Sequence, residues 1–363
     1  MDLSQIISIS DIQEQAKLIL DPSIYTYFSG GSDDEITLSE NAESYNKVLL
    51  KPRVLRDVRN ITTRTTVLGQ SISLPVLIAP MAFHKLAHQE GEIATVKAAS
   101  DFGTIMIVSS LATASLEEIR KNSLIDPWLQ VYMYKDRHIT KNLLQYAHEC
   151  GFKGLVLTVD TPLYGKRKRE LINPFSFQED IIPLNLVKAG LNLQEIPVVH
   201  RARYLSQLLD SSLTWEDIEW IRSITPLPII LKGILTEEDV SIAIEHKISG
   251  IIISNHGGRQ LDTVPTPLEV LPKIAQIADG KIDILIDGGI RDGKSIFKAI
   301  ALGAKAVLIG RPILWGLSVG GEHGVLKVLD IFSSELNLTM ALCGCTSLEM
   351  ISEEYLYKRI TYF

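Results

Sequence analysis

The chain has 363 residues, with 36 basic against 43 acidic side chains, a formal net charge of −7, and 46% apolar residues. That balance excludes general disorder, and it argues against a dedicated nucleic-acid binder, which would carry a basic face. No apolar stretch approaches the ~18 residues of a membrane span. The opening Met-Asp-Leu-Ser-Gln has no basic and apolar leader, and the closing Ile-Thr-Tyr-Phe is no sorting tripeptide or tetrapeptide, so a cytoplasmic protein without membrane attachment is expected. Cys150, Cys343 and Cys345 are too few for a disulfide framework, and the lone Cys-x-Cys pair lacks a second ligand pair, so buried thiols and no metal are expected.

In chain order, residues 1–70 read as a helical and hairpin extension. From about Ile72, short Val/Ile-rich runs alternate with amphipathic stretches. The runs are Pro75–Ala79, Thr104–Val108, Trp128–Tyr132, Gly154–Thr158, Pro228–Lys232, Gly250–Ser254, Ile282–Ile286 and Ala304–Ile309. Continuous apolar runs suit parallel strands buried on both faces. Between them the spacing predicts helices over Glu90–Phe102, Ser115–Lys121, Thr140–Gly151, Thr236–Lys247, Thr266–Ala278 and Gly293–Gly303, with caps such as Thr236 and stops at Gly151 and Gly303. Eight strand–helix units predict a (β/α)8 barrel at 71–340, followed by a C-terminal segment at 341–363, all one domain. A doubly wound open sheet is the alternative, but no Gly-x-Gly-x-x-Gly follows the first run. The interval between Thr158 and Pro228 is too long for one helix. Its part Asn173–Arg203, with Pro174, Pro183 and Pro197, reads as a long loop or lid.

Polar residues at the C-terminal ends of barrel strands face the active site. Here those ends carry Gln130 and Tyr132, Thr158-Val-Asp160, Lys232, Ser254-Asn-His256-Gly-Gly-Arg259, Asp287-Gly288-Gly289-Ile-Arg291 and Gly310-Arg311. The last two ends offer backbone N–H groups and two guanidiniums, the material of a phosphate site. Lys232 ends an apolar strand and suits a Schiff-base lysine, a cation beside a bound ring, or an ion pair with a nearby acid. His256, with paired glycines and Arg259 beside it, sets a general base near a carboxylate clamp.

These segments, in this order, resemble the FMN-dependent L-2-hydroxy acid oxidase/dehydrogenase family over nearly the whole chain. Tyr25 in Tyr-Thr-Tyr-Phe-Ser-Gly-Gly-Ser-Asp-Asp and Ile78-Ala79-Pro80-Met81-Ala82 add to the match. The resemblance implies a barrel with FMN at its C-terminal mouth and, by family habit, a homotetramer. It implies His256 as the base, Asp160 as its partner, Tyr132 at the substrate hydroxyl, and Arg167, Arg259 and Tyr25 on the substrate carboxylate. Lys232 would lie beside flavin N1/O2. Ala79, Pro80, Met81, Ala82, Ser109, Gln130, Thr158 and Ser254 would line the flavin and ribityl chain, with Asp287, Gly288, Gly289, Arg291, Gly310 and Arg311 toward the phosphate. Arg167 lies in the run Lys166-Arg167-Lys168-Arg169, whose other members read as a solvated face.

Met81 and Leu111 depart from the plant glycolate oxidases, which have threonine and tryptophan there. With Leu205 as a third wall residue, they imply an aliphatic pocket and L-lactate as substrate, with O2 as acceptor. Other L-2-hydroxy acids, a quinone or other acceptor, and a Lys232 aldolase are the competing readings.

Overall fold

A computed structural model describes residues 3–174 and 178–358; residues 175–177 of the long interval and 359–363 of the C-terminal segment lie outside the described residues. The extension supplies α1 (Ile9–Ile19), α2 (Pro22–Ser29), α3 (Ile36–Lys47), the short strand β1 (Val48–Leu50) and the hairpin β2 (Thr65–Val67) and β3 (Gln70–Ile72). Ser8 and Asp11 form a capping box that starts α1, and Asp21 accepts from Ser23 N before Pro22 opens α2.

The eight runs become β4 (Val76–Ile78), β5 (Ile107–Ser109), β6 (Trp128–Val131), β7 (Gly154–Thr158), β8 (Ile229–Ile234), β9 (Gly250–Ile253), β10 (Asp283–Ile286) and β11 (Ala306–Ile309). They pair in parallel from β5 round to β4, and the ring closes through the Ile78–Met106 bridge, with Ile78 N donating to Ile105 O at 2.9 Å. This is the (β/α)8 barrel. Alternate side chains divide between two cores. Leu77, Ile107, Trp128, Val156, Ile230, Ile252, Leu285 and Leu308 fill the interior, and Val67 and Ile72 of the hairpin join them to plug its floor. Ile78, Val108, Leu129, Leu157, Leu231, Ile253, Ile286 and Val307 face outward, against the helices.

The surrounding helices are α4 (Gly91–Phe102), α5 (Leu116–Lys121), α6 (Arg137–Glu149), α11 (Glu237–Glu245), α12 (Pro267–Ala278) and α13 (Gly293–Ala301), close to the expected spans. Capping boxes at Ser115/Glu118 and Thr266/Glu269 fix two of their starts.

Two stretches differ from expectation. The long connection after β7 is a loop interrupted by helices: its described residues include α7 (Lys168–Ile172), α8 (Leu184–Lys188), α9 (Val198–Gln207) and α10 (Asp217–Ile224), of which α8 and the start of α9 fall within the stretch expected to be irregular. α7 and α8 have five residues each, too few for periodicity to show, and tertiary bonds hold α8: buried Asn185 accepts from Leu116 N and donates to Ala114 O. Beyond Gly310, where the spacing names no helix, the chain is helical from Arg311 to Cys343 (α14), broken at Gly320–Gly321, whose backbone leaves helical φ/ψ. The final strand β12 (Leu356–Lys358) returns to pair antiparallel with β1. Cys343 and Cys345 are buried free thiols, and among the described residues no helix is long and apolar enough to cross a membrane.

Candidate active site

A cavity at the C-terminal mouth is lined by the ends of β4, β5, β6, β8, β9, β10 and β11, closed on one side by the end of α2 and on another by Tyr164 and Arg167 of the long connection. At its centre His256 Nδ1 lies 2.9 Å from Asp160 Oδ1. His256 has a left-handed backbone (φ 58°), followed by Gly257 and Gly258 in the same region, and its N–H donates to Ser254 Oγ at 3.0 Å. This turn aims the imidazole back over the barrel. A side chain at Gly257 would meet Arg311 Nη1 at 2.9 Å, so the turn and the arginine share one space.

Burial holds the His256 pKa below the ordinary imidazole value, against the pull of Asp160. Burial alone would raise Asp160, but the charge and hydrogen bond of His256, with Lys232 behind them, bring it below the usual carboxylate range. The resting pair is therefore a neutral imidazole donating from Nδ1 to a carboxylate, with Nε2 left as a base. The hydroxyl of Tyr132 is pushed up by burial and stays protonated as a donor.

Arg167 and Arg259 stand together on the wall toward the long connection. Both are mostly buried, at 6% and 15% side-chain exposure. Arg167 stacks over Tyr164, with Cζ 3.8 Å from the ring centroid, and donates from Nη1 to the Tyr164 hydroxyl. Arg259 Nη1 donates to the carbonyls of Tyr27 (2.8 Å) and Gly30 (2.7 Å). Glu170 Oε1 accepts from Arg259 Nη2 at 3.1 Å and from Arg167 Nη1 at 3.4 Å.

Beside Arg259, and sharing the Gly30 carbonyl with it, Arg311 donates to Phe28 O (3.0 Å), Gly30 O (2.8 Å) and Gly257 O (3.1 Å). The last carbonyls of α2 are thus capped by two buried guanidiniums, which is how a helix end without intrahelical partners is satisfied. Arg291 lies over Trp315 at 5.2 Å and donates to Ile290 O, and burial lowers its pKa to about 10. Burial, then the charges of Arg259 and Arg291, push Arg311 well below its ordinary value. Among the described residues neither Arg291 nor Arg311 has a carboxylate ion-pair partner. Two such guanidiniums in one pocket call for an anion.

The backbone beside them is made for close approach. Gly288 and Gly289 have φ of 93° and 76°, and a Cβ on Gly289 would lie 1.9 Å from Asn41 O. Lys232 Nζ pairs with Asp287 Oδ2 at 3.0 Å and donates to Ser254 Oγ at 2.7 Å, while Asp287 Oδ1 is buried without a partner. An acceptor awaiting a hydroxyl, a lysine at the cavity floor and two arginines without a carboxylate ion pair among the described residues fit a ribityl monophosphate carrying a ring. Ala79, Pro80, Met81, Ala82, Ser109, Leu111 and Gly310 line the same cavity. Gln130 and Thr158 are buried beside it and bonded to each other at 2.9 Å; they pair in the sheet with Ser109 and Lys232 respectively.

Two expected site residues are elsewhere. Tyr25 faces a different groove, where its hydroxyl accepts from Gln13 Nε2; Tyr27, two residues along α2, lines the cavity instead. Residues two apart on a helix point about 200° apart, so only one can face the mouth. Leu205 is packed in the core on α9 and does not line the cavity, because the helix turns it inward. Phe28, Tyr164, Glu170, Ile290 and Leu314 complete the surroundings. Of these, Phe28 stands in the Tyr-Thr-Tyr-Phe segment, Tyr164 lies between Asp160 and the basic run, and Glu170 directly follows that run.

The FMN-dependent dehydrogenase family matches this chain over residues 16–358. The chain is 43% identical to the 2-hydroxyacid oxidase of Dictyostelium discoideum, over 99% of this chain and 92% of that protein. It is 45% identical to the L-lactate oxidase of Nostoc sp., over 98% and 99% respectively. A crystal structure of mandelate oxidase superposes with a TM-score of 0.90 at 34% identity, covering 99% of this chain and all of that one. With a family match that spans the barrel and a cavity whose anion seat and lysine suit FMN, the chain belongs to the FMN-dependent dehydrogenases, flavoprotein oxidoreductases that take FMN as cofactor.

Proposed function

We propose that the enzyme oxidises an L-2-hydroxy acid to the 2-oxo acid with O2 as acceptor, and that its preferred substrate is L-lactate: lactate and O2 give pyruvate and hydrogen peroxide. The observation that carries this reading is His256, oriented by Asp160 at 2.9 Å, facing a cavity with the Arg167–Arg259 pair on its wall. Relatives named for 2-hydroxyacid and L-lactate oxidation support it.

The substrate carboxylate binds Arg167 and Arg259, whose planar forks suit it. Tyr132 donates to the oxygen on the carbon to be oxidised, and His256 Nε2 takes the proton. Asp160 stabilises the imidazolium that results, as an orienting carboxylate does. Bound FMN supplies the two-electron acceptor and the site of reoxidation by O2. Lys232, held by Asp287 and Ser254, offers a fixed positive charge at the cavity floor. Arg291, Arg311 and the Gly288–Gly289 backbone would hold the phosphate.

Met81 and Leu111 are half-buried on the cavity wall. An aliphatic wall gains about 0.8 kcal/mol per buried methyl carbon, which favours lactate over glycolate. We also place the enzyme in the cytoplasm as a homotetramer; fractionation and sedimentation test those two points. The deciding experiment is aerobic turnover of the yellow protein on glycolate, L-lactate, L-2-hydroxybutyrate and (S)-mandelate, with peroxide assayed directly. L-lactate should lead. Glycolate in first place rejects the pocket argument, mandelate in first place rejects the size assigned to the site, and 2-oxo acid without peroxide rejects O2 as acceptor.

A further inference from the structure

We infer that Glu170 is an internal stand-in for the substrate carboxylate, occupying the arginine clamp and setting substrate affinity because it must be displaced. The inference rests on the clamp reading above.

Glu170 Oε1 lies between the two guanidiniums, at 3.1 Å from Arg259 Nη2 and 3.4 Å from Arg167 Nη1, and its side chain is 15% exposed. One carboxylate oxygen shared by two arginines is the contact a 2-hydroxy acid would make. Arg259 has little else to offer: its Nη1 already serves Tyr27 O and Gly30 O, and its Nη2 serves Glu170. Arg167 is committed likewise, with Nη1 on Tyr164 and Glu170 and Nε on Arg259 O at 3.4 Å. An incoming carboxylate that bridges Arg167 Nη1 and Arg259 Nη2 therefore competes with Glu170 for those two atoms.

The placement of Glu170 permits exchange. It sits on α7, a helix of only five residues. α7 is tied to the extension by partly exposed ion pairs, Lys168–Asp34 at 2.7 Å and Arg169–Glu35 at 3.3 Å, each weak on its own. The two arginines, by contrast, are fixed by carbonyls and by the Tyr164 ring. In this arrangement the cations stay in place and the anion is replaceable. With Glu170 in the clamp, two buried guanidiniums are never left without any counter-charge between turnovers.

The test uses FMN-loaded protein and oxalate, which carries carboxylates but no C–H bond to oxidise. Its binding is followed by flavin absorbance beside KM and kcat for the best 2-hydroxy acid. Glu170→Gln should tighten oxalate and lower KM by about threefold to tenfold, with kcat changing less than KM, the scale of a partly buried ion pair. Glu170→Asp, too short to bridge both arginines, should move both in the same direction by less, and it decides the matter if the amide variant does not hold FMN. Weaker or unchanged oxalate binding and KM in the Glu170 variants, while Arg259→Lys loses oxalate, would overturn the stand-in and leave the clamp. Unchanged oxalate binding in Arg259→Lys would overturn the clamp itself.

Discussion

The two arginine pairs of the cavity, which adjoin at the Gly30 carbonyl, solve the same problem, an anion to be held, by opposite means. Toward the β10–β11 end, Arg291 and Arg311 are fixed by carbonyls and an indole ring and, among the described residues, make no ion pair with a carboxylate, beside a backbone that tolerates no side chain at Gly289. Toward the other end, Arg167 and Arg259 share Glu170. The first end is built for an anion that stays, and the second for one that comes and goes. The difference shows that residence time can be written into a binding site by whether the protein supplies its own counter-ion.

The largest test of this contrast is His256→Gln. It should slow flavin reduction by substrate by about 10²–10⁴-fold while FMN stays bound, because the base serves the exchangeable end only. Loss of FMN in this variant would break the division. Because only the neutral imidazole accepts a proton and burial lowers its pKa, flavin reduction should rise with pH along a limb centred below about 6.5, the ordinary imidazole value, and then level off. An acid limb centred above that value contradicts the direction of the shift.

Arg259→Lys keeps the charge and loses the planar fork, and it should lower kcat/KM by roughly ten- to hundredfold, the range for a lost charged hydrogen bond. A normal kcat/KM would remove Arg259 from the clamp. Gly289→Ala addresses the other end, since its Cβ would overlap Asn41 O at 1.9 Å. The expected outcome is FMN release on gel filtration and a melting temperature lower by several degrees, for a cost of about 1–3 kcal/mol. Retention of FMN at the wild-type melting temperature would show that α3 yields there. The smallest effect should come from Leu111→Trp, which reduces the preference for L-lactate over glycolate by about tenfold without touching either anion seat. An unchanged substrate ratio would take Leu111 off the wall.

Much of this was legible because strand ends in a barrel have only one place to go. Once eight Val/Ile runs were counted, Asp160, Lys232, His256, Asp287 and Arg311 had to meet at one mouth, although they are spread over 150 residues of chain. What escaped was decided by rotation about short helices. Tyr25 and Tyr27 differ by two positions in a Tyr-Thr-Tyr repeat, and nothing local says which faces inward. Leu205 lies on a helix whose neighbours mask its period. Glu170 follows four consecutive basic residues, a pattern that reads as solvated charge. Lys168 does pair at the surface, but Arg167 and Glu170 turn inward because Tyr164 and Arg259 wait there.

The capping of α2 by two arginines has a consequence for how the molecule is made. The carbonyl of Phe28 and the guanidinium of Arg311 are 283 residues apart in the chain, and Gly30 needs Arg259 as well. A polypeptide emerging in order from its N-terminus therefore exposes an open helix end until the last barrel strand has been synthesised. Contacts of such sequence separation close late and slowly. The flavin seat cannot be complete until β11 and Arg311 have been made, so tightly held yellow colour should appear only late in the making of the fold.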